Sequence, residues 1–413
     1  MAPSSEPNGG RRSLRERTDG VVCFGGVDWW YHNRGHYDLQ MMRELSASLP
    51  VLYVNSIGVR TPKPSEGRMF VRRVRRKLKS IARGYREVRP HFSVLSPPSL
   101  PVLGGHPMLQ ALTARAVVNG ARRMGMERPL LWINCPSAAA LIDRIPHGPL
   151  VYQRTDRFEA FPGVDRATLL GHHDRLRGAD LTLYCTRSLF EEEREGCRNA
   201  AFVDHGVDYD RFAGSDGSPT PEDMRGIEGP VVGFVGGIDA HTFDPELFLT
   251  VARKLPGATF VLVGGCSLPE GWCTEPNVRL LGRKPYEAVP QYMAAADVLI
   301  MPWAQNDWIK ACNPIKLKEY LAVGRPIVST PFDELERYAG LVEVAADAQS
   351  FVEAIERSLA SDHDAAPQRH RVAAETWTAK AEHVLSLLEG AGGSKERGAP
   401  AALGPDAASV PVR

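Results

Sequence analysis

The sequence predicts an α/β protein built as two doubly wound domains of parallel strands that face each other across a cleft. Three observations predict it. Short apolar runs alternate with helical patterns along most of the 413 residues, which is the signature of parallel sheets with covering helices. A polar break rich in Gly, Ser, Pro and Asp, Asp210–Glu228, divides the alternation into two halves, as an interdomain linker would. Strand-like runs in both halves end in glycine pairs, Gly25-Gly26, Gly236-Gly237 and Gly264-Gly265, and such sheets bind ligands at the carboxyl ends of their strands.

In chain order, residues 1–19 are polar and read as a disordered tail. Residues 20–209 form the first domain, Rossmann-like, with strands expected at Val21–Phe24, Val51–Val54, Phe92–Leu95, Leu130–Ile133, Leu150–Gln153, Leu181–Tyr184 and Ala201–Val203. Helical patterns at 36–48 and 108–124 fall between them. The linker is 210–228. The second domain, 229–373, repeats the scheme with strands at Val231–Val235, Thr259–Val263, Val278–Leu281, Val298–Met301, Pro326–Val328 and Leu341–Val344, and helices at 245–254, 286–295 and 348–360. A C-terminal helix over 374–390 follows, then a second disordered tail, 391–413, rich in Gly, Ala and Pro.

Composition excludes several classes. The chain is 43% hydrophobic and 24% charged with a net charge of +1, ordinary for a globular protein and without a global field that would draw nucleic acid. Seven cysteines show no C-x-x-C spacing, so reduced, mostly buried thiols are expected and neither a metal nor a cofactor. The polar, Arg-rich N-terminus has no apolar signal core, and no run reaches the roughly 18–20 apolar residues needed to span a bilayer. A cytoplasmic location follows as the expectation.

Asn313–Thr330 carries the most chemistry. It reads as a loop, a helix start at Pro314-Ile315-Lys316, a helix through Glu319 and Tyr320, a glycine stop at Gly324 and a buried strand. A helix start offers free N–H groups to an anion, and Lys316 and Lys318 add positive charge. The alternative is a solvated basic face with ordinary caps.

The arrangement Asn-Pro-x-Lys-x-x-Glu-Tyr-Leu-Ala-x-Gly-x-Pro-Ile-Val resembles the donor-site motif of glycosyltransferases with the GT-B fold, in the family-four-like group (glycosyl transferases group one). The resemblance covers about 229–345 strongly. Over 21–210 it rests on the Asp156 segment and His205-Gly206-Val207-Asp208. It implies a fold of two Rossmann-like domains and a nucleotide-sugar donor, most simply a UDP-sugar, in the second of them. Carried over, Lys316 would meet the diphosphate and Glu319 the ribose, with Asn313, Pro314 and Ile315 among the donor-binding residues. Retaining members have a second glutamate eight positions earlier, which here is Ala311. The chain therefore looks closer to polysaccharide-building relatives that lack it, and the stereochemical outcome stays open.

Other loops follow the same logic. Glycines at Gly236, Gly237 and Gly265 let backbone approach a phosphate, or are plain turns. The resemblance places them and Arg283, in the Gly282–Tyr286 loop, around the donor. Where many members carry Arg and Lys after the first glycine pair, this chain has His241, Thr242 and Phe243. Asp156 ends a buried strand and is the candidate catalytic base, accepting the proton of the acceptor hydroxyl; alternatively it caps a turn or pairs with Arg154 or Arg157. The first strand-to-helix loop offers Gly25, Gly26, Asp28, Trp29, His32 and Arg34 to an acceptor sugar, with Asp28 and His32 as further proton carriers. Trp29 and Trp30 could equally be core. His205 reads as a hinge residue, and His172-His173 as surface residues.

Arg68–Arg89 holds ten basic residues against Glu87 alone, with Val71, Val74, Leu78 and Ile81 at helical spacing. That is a basic amphipathic helix suited to an anionic membrane surface at the inner face, or else a solvated helix; nucleic acid is disfavoured because aromatic stacking partners are sparse.

The expectation is a nucleotide-sugar-dependent glycosyltransferase acting on a sugar, lipid-linked or small-molecule acceptor. The rivals are a nucleotide-sugar epimerase of the same fold and a non-catalytic carbohydrate- or membrane-binding protein.

Overall fold

Runs rich in Val, Leu and Ile form strands buried on both faces, and these assemble into two sheets. In the computed structural model, which describes residues 13–32, 35–58, 68–99, 106–161 and 163–391, the first sheet contains β1 (Val21–Phe24), β2 (Val51–Val54), β3 (Tyr85–Arg89), β4 (Phe92–Leu95), β5 (Leu130–Ile133), β6 (Leu150–Arg154), β7 (Leu181–Tyr184) and β8 (Ala200–Phe202). Their order is β3-β4-β2-β1-β5-β6-β7-β8. Every pairing is parallel except β3 with β4, which is antiparallel. Edge strand β3 was not foreseen, because its residues Tyr-Arg-Glu-Val-Arg are charged and partly exposed, as an edge that must resist further pairing requires.

The second sheet contains β9 (Val231–Val235), β10 (Thr259–Val263), β11 (Val278–Gly282), β12 (Val298–Met301), β13 (Ile327–Ser329) and β14 (Glu343–Val344). Its order is β11-β10-β9-β12-β13-β14, parallel throughout. Strand order reverses between β1 and β5 and between β9 and β12. These are the two switch points where a crevice opens at the strands' carboxyl ends.

Each sheet has a buried cluster on either face. The helix Trp377–Ala391 follows the second domain but packs on the first. Trp377, Ala381, Val384 and Leu388 belong to the same core as Val21, Tyr37 and Val51. The Arg17 guanidinium donates to the Leu388 carbonyl at 2.5 Å. Residues 13–19, expected as tail, are thus part of the fold: Leu14 is buried, and the Asp19 carboxylate accepts from the Glu127 and Arg128 amides at 2.6 and 2.9 Å. Residues 1–12 and 392–413 lie outside the described residues. The expected linker also folds in part, since Tyr209–Ala213 is helical and Phe212 and Met224 enter the second domain's core.

Asp204, where the first domain ends, accepts from Lys318 at 2.9 Å, Lys380 at 2.6 Å and Arg337 at 2.7 Å. Glu375 accepts from Lys318 at 2.9 Å and also pairs with Lys380. Lys318 and Asp204 are 1% and 2% exposed, so a buried pair at the centre of this network ties the two domains, with partly exposed Arg337, Lys380 and Glu375 around it. His205 packs its ring on Tyr37 and Trp377, and its carbonyl accepts from Lys318 at 2.5 Å.

Candidate functional site

Three loops stack at the carboxyl ends of the second sheet. The Gly236 amide donates to Val263 O and the Gly264 amide to Gly282 O, both at 2.8 Å. Gly236 has φ +155° and Gly264 +156°, a region that excludes side chains. A Cβ at Gly264 would lie 1.6 Å from Gly236 O, and one at Gly236 would lie 1.9 Å from Lys316 Nζ. The glycines therefore let the loops close on each other and let the lysine ammonium reach the loop.

Lys316 belongs to the helix Ile315–Val323, which starts at Pro314 with no side-chain cap and stops at Gly324, φ +78°. Its ammonium lies over the Phe234 and Trp303 rings at 4.6 and 4.5 Å. Among the described residues no hydrogen bond or ion pair holds it. Burial pulls its pKa down to about 8, with the Glu319 charge opposing. An uncapped helix start, a glycine loop and an unpaired cation thus converge on one spot. Glu319 accepts from the Tyr286 hydroxyl at 2.9 Å. Burial raises its pKa to about 7, against that hydrogen bond and the Lys316 charge.

Across the cleft, Asp156 follows β6. Burial lifts its carboxyl to about 6, opposed by the Thr155 hydrogen bond and the Arg154 charge. The expected alternative, pairing with Arg154, is not what the structure shows. Arg154 gives its guanidinium to Glu159 at 2.8 and 3.0 Å, Glu193 at 3.0 Å, His173 Nε2 at 3.0 Å and only the main-chain oxygen of Asp156 at 2.8 Å. His173, expected at the surface, is 3% exposed inside this network and also bonds the Tyr152 hydroxyl. The Asp156 charge is felt by Cys185 of its own domain and by Cys312 of the other.

The first loop departs from expectation. Trp29 is core, not acceptor platform: it is buried against Tyr53 and Phe92, with ring centroids 6.0 and 5.0 Å away. Asp28 is held by the Ser80 hydroxyl at 2.5 Å and the Trp30 amide at 2.9 Å, so its carboxylate braces this loop rather than relaying protons. His32 is tied to Asp28 through Nδ1, and burial lowers its pKa. Gly26 donates to Asp38 Oδ2 at 2.7 Å, and a Cβ at Gly25 would meet the Tyr53 hydroxyl at 2.0 Å. The glycines admit a buried Tyr53–Asp38 pair under the loop. Arg34 lies outside the described residues.

On the donor side, Lys318 is turned away into the interdomain network. The Asn313 side chain also crosses the domains, donating to Cys185 O at 2.8 Å, and Ile315 packs on the first domain's core. Neither offers its side chain to a ligand. Arg283 lies against Gly265, where a Cβ would come within 2.4 Å of its Nε, and reaches Tyr31 O at 3.4 Å. Gly237 is exposed beside Asp239. Two indoles not singled out from the sequence are Trp303, which lies under the Lys316 ammonium, and Trp308, which packs on His241 and on Phe161 of the first domain. An indole at the end of β12 and another just before the Asn313 loop were the available signals.

Among the described residues no helix is long and apolar enough to cross a membrane, and no group of three or more His, Cys, Asp or Glu could hold a metal ion.

Residues 229–361 match the family described as glycosyl transferases group 1. TuaH of Bacillus subtilis (strain 168), named as a teichuronic acid biosynthesis glycosyltransferase, is 30% identical over 243 residues, 54% of this chain and 59% of that protein. The chain thus spans about three fifths of that relative's length. The fold matches sucrose-phosphate synthase from Thermosynechococcus elongatus with a TM-score of 0.65 at 17% identity, over 89% of this chain and 98% of that one. It also matches Anabaena HepE in complex with UDP-glucose, TM-score 0.56 at 17% identity, over 90% and 97%. The architecture is GT-B.

Proposed function

We propose, from the match of residues 229–361 to the group 1 glycosyltransferases, that the protein transfers a sugar from a nucleotide-diphosphate sugar to a hydroxyl acceptor. The unpaired Lys316 ammonium between Gly236 and the start of the helix Ile315–Val323 carries this reading. A diphosphate there would meet a cation, free helix N–H groups and glycine backbone, all preorganised. Glu319 lies one turn further along the helix, where a ribose attached to that diphosphate would reach it. A UDP-sugar is the donor we favour, since HepE is described with UDP-glucose.

In the reaction, the acceptor oxygen forms a bond to the anomeric carbon while the bond from that carbon to the phosphate oxygen breaks. The hydroxyl proton passes to Asp156, and the nucleoside diphosphate leaves carrying charge met by Lys316 and the helix start. The test is to incubate the protein with a nucleotide-sugar panel and lipid extracts and identify products by mass spectrometry. Glycosylated acceptor plus nucleoside diphosphate supports transfer. An altered sugar with no acceptor would mean an epimerase, and donor binding without turnover a non-catalytic protein. Unchanged donor affinity in Lys316→Ala would remove the diphosphate site.

The acceptor we favour is a lipid-linked or polysaccharide intermediate at the inner membrane face, in keeping with the TuaH name. The helix Arg68–Ile81 supports this. Val71 and Leu78 are 64% and 54% exposed, flanked by exposed Arg72, Arg75 and Lys79, and each basic residue near anionic lipid contributes about 1 kcal/mol. Its other side is anchored, with Lys77 donating to Ser56 O at 2.8 Å and Ser80 to Asp28. Sedimentation with phosphatidylserine vesicles but not phosphatidylcholine vesicles is expected, and equal behaviour with both would exclude the surface.

A further inference from the structure

Phe161, five residues past Asp156 in the first domain, meets two rings of the second. Its ring centroid lies 4.8 Å from His241 and 5.6 Å from Trp308, and His241 and Trp308 are 5.5 Å apart. Asn306 fixes the pair: its side chain donates to His241 O at 2.8 Å and accepts from the Trp308 and Ile309 amides at 3.1 and 2.9 Å. His241 Nε2, Trp308 Nε1 and Trp303 Nε1 are buried with no hydrogen-bond partner among the described residues. Each such group costs about 1–3 kcal/mol when left unsatisfied. Trp308 packs on His241, and the Trp303 segment joins the His241 segment through the Ala304 amide, which donates to Thr242 O at 2.9 Å, so the three nitrogens belong to adjoining segments beside Phe161 of the other domain and point to an occupant that supplies oxygen acceptors.

Position fits that occupant. Trp303 covers the Lys316 ammonium. Trp308 lies three residues before Ala311, where no carboxylate is available to a sugar hydroxyl. Phe161 closes the space from the other domain. We propose that His241, Trp308 and Trp303 form the donor-sugar subsite. The pyranose ring would lie against Trp308, displacing Phe161, and its hydroxyl oxygens would take hydrogen bonds from the imidazole and indole nitrogens. Aromatic faces and N–H donors here do the work a carboxylate at 311 would do. Phe161 then closes over the sugar from the acceptor side. This rests on the donor-site reading above.

Calorimetry of the full chain separates the two. The ligands are the nucleoside diphosphate bound best from a panel of UDP, GDP, ADP and TDP, and its glucose and glucuronate conjugates. Trp308→Ala and His241→Ala should weaken the tighter sugar conjugate about 10-fold and leave the bare diphosphate within about 2-fold. Trp308→Phe, which keeps the ring and the packing, should fall between. Equal loss for diphosphate and conjugate, or no loss for either, would overturn the subsite while leaving the donor site standing. If the wild-type chain binds no diphosphate, the donor-site reading fails and the subsite with it.

Discussion

Asp156 and Lys316 titrate on opposite sides of neutrality, for one cause. Burial disfavours charge, lifting the carboxyl to about 6 and lowering the ammonium to about 8. The proposed roles need both charged. Activity should be lost as pH falls through the Asp156 value, where the base becomes protonated, and again as pH rises through the Lys316 value, where the cation is neutralised. A bell-shaped kcat/KM profile is the expected measurement. Asp156→Asn should lower kcat by about 10²–10⁴. Lys316→Arg should move the alkaline limb out of range, because a guanidinium stays charged. Full activity in Asp156→Asn would exclude it as the base. Both residues were legible in the sequence, since strand ends and helix starts mark positions that face a crevice. Trp29 was misread because an aromatic beside glycines looks the same whether it points at a ligand or into the core.

At the scale of elements, the helix Ile315–Val323 does two jobs. Its start carries the unpaired Lys316 and, one turn on, Glu319 bonded to Tyr286, while Lys318 joins the charges that hold the domains and the C-terminal helix together. Asp204 is the shared acid of that network. Asp204→Ala would leave Lys318 with Glu375 as its remaining carboxylate partner in a site 1% exposed. Breaking a buried ion pair from one side costs about 3–5 kcal/mol, so urea denaturation should show a loss of that order. A loss under about 1 kcal/mol, as for a surface pair, would show that the network is solvated. Lys318 was read as part of the anion site because both lysines follow the helix start. Which of two neighbouring residues faces out depends on what packs against the helix, and that information lies more than a hundred positions away at Asp204.

For the whole molecule, the chain crosses between its domains twice, after Asp204 and again at the C-terminal helix. Trp377 is 2% exposed in the first domain's core, although it follows the whole second domain. Trp377→Ala should destabilise the first domain by about 3–5 kcal/mol. Chemical denaturation should therefore show its transition earlier than that of the second domain, and coincident unshifted transitions would place the helix outside that core. The sequence by itself determined the two α/β halves, nearly every strand, the glycine loops and the start of the helix Ile315–Val323. Each of these is written in local periodicity and in residues with special backbone freedom. Only the tertiary structure decided that Lys316 stands unpaired while Lys318 is bound, that Asp156 escapes Arg154, that Trp29 is core, and that His241, Trp303 and Trp308 leave buried nitrogens without partners. These outcomes depend on burial and on pairing between residues far apart in the chain. The Asn313–Val323 segment shows both levels, its helix start fixed by local sequence and its roles assigned by the opposite domain.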